Sequence, residues 1–310
     1  MRLVERVPEA LAGERIDRVV AMLTSCSRAE AVELIEAGQV LVRGEMARSR
    51  SAKVRLGDEV AVEMPDRAAA ARLVPEPAVG VAVVHEDDDL LVVDKPAGLI
   101  VHPGAGQSTG TLVHGLLARY PEISGVGVDA ARPGIVHRLD KGTSGLLLVA
   151  RSQRAYESLV AMLSARQVKR RYRTLVWGRV AAASGLIDAP IGRSTRDAMK
   201  MAVAVRGKEA RTRYEVLSTY DEPVEVTELA CTLETGRTHQ IRVHLLSIGH
   251  PVVGDLRYKG ARQSLPMSRP FLHAELLELE HPVSGEPMHF ESALPPDLTD
   301  VLAQLSRREA

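Results

Sequence analysis

Residues Pro133 to Ala150 read Pro-Gly-Ile-Val-His-Arg-Leu-Asp-Lys-Gly-Thr-Ser-Gly-Leu-Leu-Leu-Val-Ala, and this stretch decides how the rest of the chain is understood. Its apolar ends, Ile135-Val136 and Leu146 to Ala150, have the length of short buried strands. Between them lies a polar turn with a single acid, Asp140, flanked by His137, Arg138 and Lys141. Gly142 and Gly145 permit backbone angles that residues with a Cβ resist, so the chain can bend sharply there. Nearby positive charge favours the ionised form of a carboxylate. An ionised carboxylate on a rigid strand end can act as a nucleophile or stabilise developing charge. The competing reading is a surface ion pair beside a hairpin, and the remaining sequence has to decide between them.

A length of 310 residues suits one small and one large domain. Net charge is zero, so bulk electrostatics neither demand nor exclude a polyanionic partner. The distribution is more informative: between Ser164 and Tyr214 there are 13 basic and three acidic residues, a concentration able to form a phosphate-binding patch. Cys26 and Cys231 are too few for a disulfide framework and have no metal-ligand spacing, which fits a reducing compartment. The N-terminus has no apolar signal core, and no apolar run approaches the ~20 residues of a membrane span. A soluble, cytoplasmic protein with no membrane partner is expected, and nothing argues against a monomer.

Residues 1–65 form a self-contained pattern. Ile16, Val19, Val20 and Leu23 recur at helical spacing, and Ser27 stands three before Glu30 as in a capping box. Val32, Leu34 and Ile35 supply a second helix that Gly38 can end. Short β segments follow at Val40 to Val42 and Glu59 to Met64, with turns at Arg43-Gly44 and Gly57-Asp58. Arg28, Arg43, Arg48, Arg50 and Lys53 would present cations beside this platform. Residues 66–78, rich in Ala, Arg and Pro, read as a linker, and residues 79–310 as the larger domain. There, Leu90 to Asp94 is a strong strand, Gly110 to Tyr120 is helical, and Ser152 caps a helix through Leu163. Arg170 to Trp177, Tyr214 to Leu217, Val224 to Leu233 and His239 to Leu245 read as β runs broken by Gly and Pro. That rhythm predicts an α+β fold: a small N-terminal αβ domain and a mostly antiparallel mixed sheet, without repeating βαβ units.

Several familiar chemistries are excluded. There is no His-Glu-x-x-His and no paired Cys-x-x-Cys, and the Gly142-Thr-Ser-Gly145 turn after Asp140 is not the Gly-x-Ser-x-Gly of a serine-hydrolase elbow. His239, His244 and His250 lack metal-site spacing, so no metal is expected. The glycine-rich Gly104 to Gly110 loop matches neither a dinucleotide fingerprint nor a Walker loop, and no cofactor is implied. A carboxylate among arginines remains.

Arg15-Ile-Asp-Arg-Val, Ser27-Arg-Ala-Glu-Ala, Leu34-Ile-Glu-Ala-Gly38-Gln-Val-Leu-Val and Gly57-Asp58 resemble the S4-type RNA-binding domain. Such a module implies RNA positioning through phosphate contacts. The larger domain resembles the RluA-type family of RNA pseudouridine synthases. The motifs, in order, are Val93-Asp-Lys-Pro-Ala-Gly-Leu, Arg132-Pro-Gly-Ile-Val-His-Arg-Leu-Asp140, Lys169-Arg-Arg-Tyr172, Glu234-Thr-Gly-Arg237-Thr-His-Gln-Ile-Arg-Val-His-Leu245, His250-Pro-Val-Val-Gly-Asp-Leu-Arg-Tyr258 and Arg269-Pro-Phe-Leu-His273. Gly142 departs from the family, whose members often carry Asp there; Asp140 itself is intact.

The resemblance implies isomerisation of uridine in RNA, with large-subunit (23S) ribosomal RNA as substrate and pre-ribosomal particles as a setting. By the same resemblance Asp140 is the nucleophile, Arg237 pairs with it, Tyr172 stacks on the base and is a candidate for removing the C5 proton, and Arg138 displaces the uridine. Lys95, His137 and Ile241 line the pocket. Lys169, Arg170, Arg171, Arg193, Arg196, Lys200 and Arg206 are candidate phosphate contacts. Two rival readings are an RNA-binding assembly factor with a dispensable pocket and a nucleoside hydrolase, the latter wanting a second catalytic carboxylate.

Overall fold

The computed structural model describes residues 2–24, 26, 28–47, 49–63, 73–104, 107–197 and 200–306. The expected capping serine Ser27, Arg48, most of the linker and part of the Gly104 to Gly110 loop lie outside these. The chain divides into two compact units, Met1–Arg72 and Leu73–Ala310.

In the first unit, β1 (Arg2–Arg6) precedes α1 (Ile16–Leu23) and α2 (Arg28–Glu36), followed by β2 (Val40–Val42), β3 (Glu45–Met46) and β4 (Glu59–Glu63). The four strands form an antiparallel sheet in the order β1-β4-β2-β3. The helical spacing read from the sequence becomes a core stripe: Ile16, Val19 and Val20 pack on Leu34, Ile35, Val40, Val60 and Val62. Arg43 and Gly44 both have positive φ, 54° and 81°, the backbone that a tight two-residue hairpin needs. Strand β1 has no sequence signature, because most of its side chains are exposed and it exists only by pairing with β4.

The second unit begins with β5 (Val83–Glu86), β6 (Leu90–Lys95), α3 (Leu112–Arg119), β7 (Ser144–Ala150), α4 (Gln153–Ser164) and β8 (Lys169–Trp177). Then come β9 (Ser184–Asp188), β10 (Ile191–Arg193), β11 (Met201–Val203), β12 (Arg211–Tyr220), β13 (Val226–Leu233), α5 (Gln240–Ser247), β14 (Leu272–Glu280), β15 (Pro287–Glu291) and α6 (Pro296–Ala303). Nine strands form one sheet, ordered β5-β6-β7-β14-β8-β13-β12-β9 with β15 on β14. Every pairing is antiparallel except β7 with β14. The mixed α+β architecture is the expected one. Glu76, expected in the linker, belongs to the larger unit: its carboxylate accepts the Gly110 N–H at 3.0 Å and its own N–H donates to the His114 carbonyl.

Strand β7 is buried along its whole length, and burying Leu146, Leu147 and Leu148 contributes roughly 1.5–3 kcal/mol each. Its start is fixed by β14: Gly145 lies opposite Ala274, and Ala274 lies opposite Tyr172 of β8. The start of β7, which follows the turn carrying Asp140, and the strand carrying Tyr172 therefore sit on either side of one central strand, about 9–10 Å apart backbone to backbone. Gly145 has φ 109°, and a Cβ there would stand 2.2 Å from the Ala274 carbonyl oxygen. Gly145→Ala is expected to cost about 2–4 kcal/mol, from backbone strain plus overpacking, read as a lower urea midpoint at unchanged slope.

One expectation fails. His239 to Leu245 is not a strand; Gln240–Ser247 is helix α5. The alternation of polar and apolar residues suggested a half-exposed strand, but Gln240, Ile241, Arg242, Val243, His244 and Leu245 are all buried. The helix is enclosed on every side, so no solvent face imprints a 3.6-residue period on its sequence. Its polar members are satisfied internally: His244 bonds the Thr212 hydroxyl and the Ala189 carbonyl, each at 2.9 Å.

Candidate active site

The turn before β7 is held from three directions. The Gly98 N–H donates to the Lys141 carbonyl, the Thr143 N–H to the Asp140 carbonyl, and Arg269 Nη1 to the Gly142 carbonyl at 3.1 Å. Arg269 is itself anchored by a two-point pair with Asp297 on α6. At Gly142, where the family often has Asp, a Cβ would stand 2.9 Å from Pro270 Cδ, so glycine lets this proline close onto the turn. The carboxylate of Asp140 emerges from that frame into a cavity of about 570 Å³, within the usual range for a small-molecule site.

The cation paired with Asp140 is Arg242, not Arg237. Arg242 Nη1 donates to Asp140 Oδ2 at 2.8 Å, while Nε and Nη2 donate to Asp255 at 2.6 and 2.9 Å. The guanidinium also lies over the Tyr258 ring, 4.9 Å from its centroid. Asp255 is fully buried and accepts two further N–H bonds, from Arg257 and Tyr258. Burial alone would push Arg242 down; the Asp255 hydrogen bond, then the charges of Asp140 and Asp255, hold it above its ordinary value. Arg237 lines the cavity with its side chain turned outward, Nε donating to the Glu209 carbonyl.

The Arg237 pairing was what the family resemblance implied, and the resemblance covers both arginines of the motif. Arg242, in the first turn of α5, and His239, its N-cap, both face Asp140. His239 Nε2 lies 3.9 Å from Asp140 Oδ1, and its Nδ1 meets the Tyr258 hydroxyl at 2.8 Å. His239 adopts φ 58°, a left-handed conformation costly for a residue with a side chain, and burial holds its pKa below the ordinary histidine range. Arg242, Asp255 and Tyr258 all lie inside motifs visible in the sequence, but nothing local marks which members converge.

Tyr172, His137, Arg138, Arg170 and Ile241 do line the same cavity. Burial pushes the Tyr172 phenol up to about 12, with Arg170 opposing the shift and Asp140 adding to it. It is therefore protonated across the neutral range, which favours stacking over proton removal as its role. Tyr172→Ala is expected to weaken capture of the target base by about 1–3 kcal/mol, whereas Tyr172→Phe keeps the stack. Titrating the variants with substrate RNA reads the difference. His137 Nε2 accepts the Leu148 N–H at 2.9 Å; burial, then Arg170, push its pKa down to about 3, so the ring stays neutral. Arg138 is exposed at the cavity mouth beside His102, 3.2 Å away.

Lys95 does not line the cavity and cannot meet RNA. It is 1% exposed, with Nζ donating to the Pro96 and Leu99 carbonyls at 2.8 Å each, and burial lowers its pKa to about 7. The cationic segment after Ser164 is also less free than its sequence suggests. Lys169 pairs with Glu278, Arg171 with Glu275, Arg173 with Glu228, Arg166 with Glu209 and Lys200 with Asp197. Most of these acids come from strands distant in sequence, so the local excess of charge is largely offset once the sheet forms. Arg193 and Arg196 are exposed. In the first unit Arg28 pairs with Asp17 and Arg43 with Asp58, while Arg50 and Lys53 are exposed. Among the described residues, no group of three or more His, Cys, Asp or Glu side chains is placed to hold a metal ion.

Residues 89–247 match the family model described as RNA pseudouridylate synthase, and residues 14–60 match the S4 domain. The chain belongs to the RNA pseudouridylate synthase family. A protein of Xanthomonas campestris named ribosomal large subunit pseudouridine synthase D is 43% identical over 98% of this chain and 92% of its own length. An uncharacterized RNA pseudouridine synthase of Bacillus subtilis is 42% identical over 95% of both chains. The solved structure of human RNA pseudouridylate synthase domain containing 1 is 29% identical, with a TM-score of 0.57 over 73% of this chain and 89% of that one. The protein is thus an RNA pseudouridine synthase, an isomerase, joined to an S4 RNA-binding domain. Isomerisation of uridine moves the uracil from an N1 to a C5 link with the ribose, and the cavity around Asp140 offers a carboxylate, an aromatic ring and cations in one place.

Proposed function

We propose that this synthase isomerises uridines of large-subunit (23S) ribosomal RNA, with Asp140 as the nucleophile. The observation carrying the reading is the Asp140–Arg242–Asp255 array: a carboxylate oriented by a guanidinium that is itself clamped, at the floor of a nucleoside-sized cavity. A two-acid, one-arginine array leaves net negative charge on the reacting side and little freedom to move. Arg138, at the cavity mouth, takes the place of the extruded uridine in its stack, and Tyr172 receives the base. The S4 domain grips the RNA backbone through cations such as Arg50 and Lys53, and in the larger unit the exposed Arg193 and Arg196 are further candidate phosphate contacts.

The ribosomal substrate is supported by the printed names of relatives that match over nearly the whole chain, several of them synthases D of the large subunit. The same names support D-type specificity. The setting would be the cytoplasm, on pre-ribosomal particles, with the enzyme acting as a monomer. Mapping pseudouridine by carbodiimide modification and primer extension, in RNA from cells with and without the gene, tests the substrate. Stops that vanish from 23S RNA on deletion are the expected result; stops that vanish only from transfer RNA would overturn it.

A further inference from the structure

Among the described residues, three buried side-chain polar atoms have no hydrogen-bond partner: Thr143 Oγ1, Arg170 Nε and Arg211 Nε. Arg211 has carboxylates of Asp188 and Glu234 at 3.3 Å. The other two line the cavity beside Asp140. Arg170 is 6% exposed, and no acid or carbonyl of the described residues bonds its guanidinium. It shares the inward face of β8 with Tyr172, two residues on, and its neighbour His137 is neutral. A Cβ at residue 236 would come within 3.0 Å of Arg170 Nη1, so Gly236 leaves this guanidinium its space. A buried, unpaired arginine is costly, and folding alone gives no reason to keep one. Something that arrives in the cavity must compensate it.

We infer that Arg170 is a catalytic residue that holds the uracil as an anion once it has left the ribose. When the C1′–N1 bond breaks, its electron pair goes to N1 and the negative charge spreads over the ring to O2 and O4. In that step an Asp140 oxygen bonds to C1′. C5 then supplies an electron pair to C1′ as the Asp140–C1′ bond breaks back to the carboxylate, the C5 proton leaves to water, and N1 takes one up, so the product is an isomer of the substrate. The detached ring must stay in place while it turns. A cation on the cavity wall beside the stacking ring does this without becoming a nucleophile. A phosphate is a poorer match, because the RNA backbone stays at the mouth, where Arg138 and Arg237 are exposed, while the base goes in. Charge present only during reaction is what a preorganised cation stabilises most. The inference rests on the reading that uridine reacts at Asp140, and not on which RNA carries it.

The test uses the full chain in excess over total RNA from a strain lacking the gene, so that any natural target is present. Arg170→Met is expected to lower the single-turnover rate at saturation by about 10²–10³-fold, with RNA affinity by filter binding within about threefold. Arg170→Lys should recover about tenfold of the rate by restoring charge. Removing an unpaired buried charge should leave Arg170→Met melting no lower than the parent, and about 2–4 °C higher if 1 kcal/mol is regained. A saturating rate like the parent's, weakened affinity with the rate intact, no recovery by Lys, or a lower melting temperature would each overturn the assignment. Asp140→Asn is assayed in parallel. If that variant is active, the reading of the pocket fails; if it is inactive while Arg170→Met is unimpaired, only this inference fails.

Discussion

Asp140→Asn is expected to reduce pseudouridine formation by about 10⁴-fold or more while RNA affinity stays within about threefold. The amide is nearly isosteric and can still accept a hydrogen bond from Arg242, so the turn should keep its shape. What it loses is the negative charge and the nucleophilic oxygen, both needed when C1′–N1 breaks. Single-turnover assays on transcribed 23S RNA, with filter binding alongside, separate the two quantities. Wild-type turnover by this variant would remove Asp140 from the mechanism and favour a protein that acts by binding alone. Release of free uracil by the parent enzyme would instead favour a hydrolase.

The second large effect is expected at Arg242. Arg242→Met leaves Asp255 buried without its cation and should destabilise the larger unit by about 3–5 kcal/mol, as removing one partner of a buried pair does. Activity should fall with it, because Asp140 loses its orienting contact at 2.8 Å. Adding Asp255→Leu to Arg242→Met should restore part of the stability and none of the activity, since the second change removes the stranded charge without replacing the contact. Arg237→Ala, by contrast, should change stability by less than about 0.5 kcal/mol, because its side chain is turned outward. Urea unfolding of the three variants ranks them; an Arg237 variant as unstable as the Arg242 one would reverse the assignment made from the geometry.

The contrast between these two arginines shows how far a sequence can be read. Both stand in Thr235-Gly-Arg-Thr-His-Gln-Ile-Arg242, and nothing in that string says which reaches Asp140. The resemblance marks the motif as a whole, and only the fold of residues 239–247 turns Arg242 to the acid. The enclosed helix α5 erases the amphipathic period that would have marked it as a helix. Asp255 is a similar case: thirteen residues beyond Arg242, it is significant only because the chain returns beneath the helix. The cationic run after Ser164 is less free than its sequence suggests for a related reason, since Glu228, Glu275 and Glu278 come to it across the sheet.

Local chemistry was legible wherever neighbours in sequence are neighbours in space. The helix spacing at Ile16 to Leu23, the Arg43-Gly44 hairpin, the buried run at Leu146 to Ala150 and the capped helix after Ser152 all follow from contacts over a few residues. So does the acid-bearing turn, and with it the family resemblance. Which groups surround that acid was decided by tertiary structure alone. Parallel pairing of β7 with β14 sets Gly145, just after the Asp140 turn, opposite Tyr172 across a shared strand, and burial selects Arg242 as the partner of Asp140 while leaving Arg170 without one. Pairing and burial join residues a hundred or more positions apart, and no local pattern in the chain encodes them.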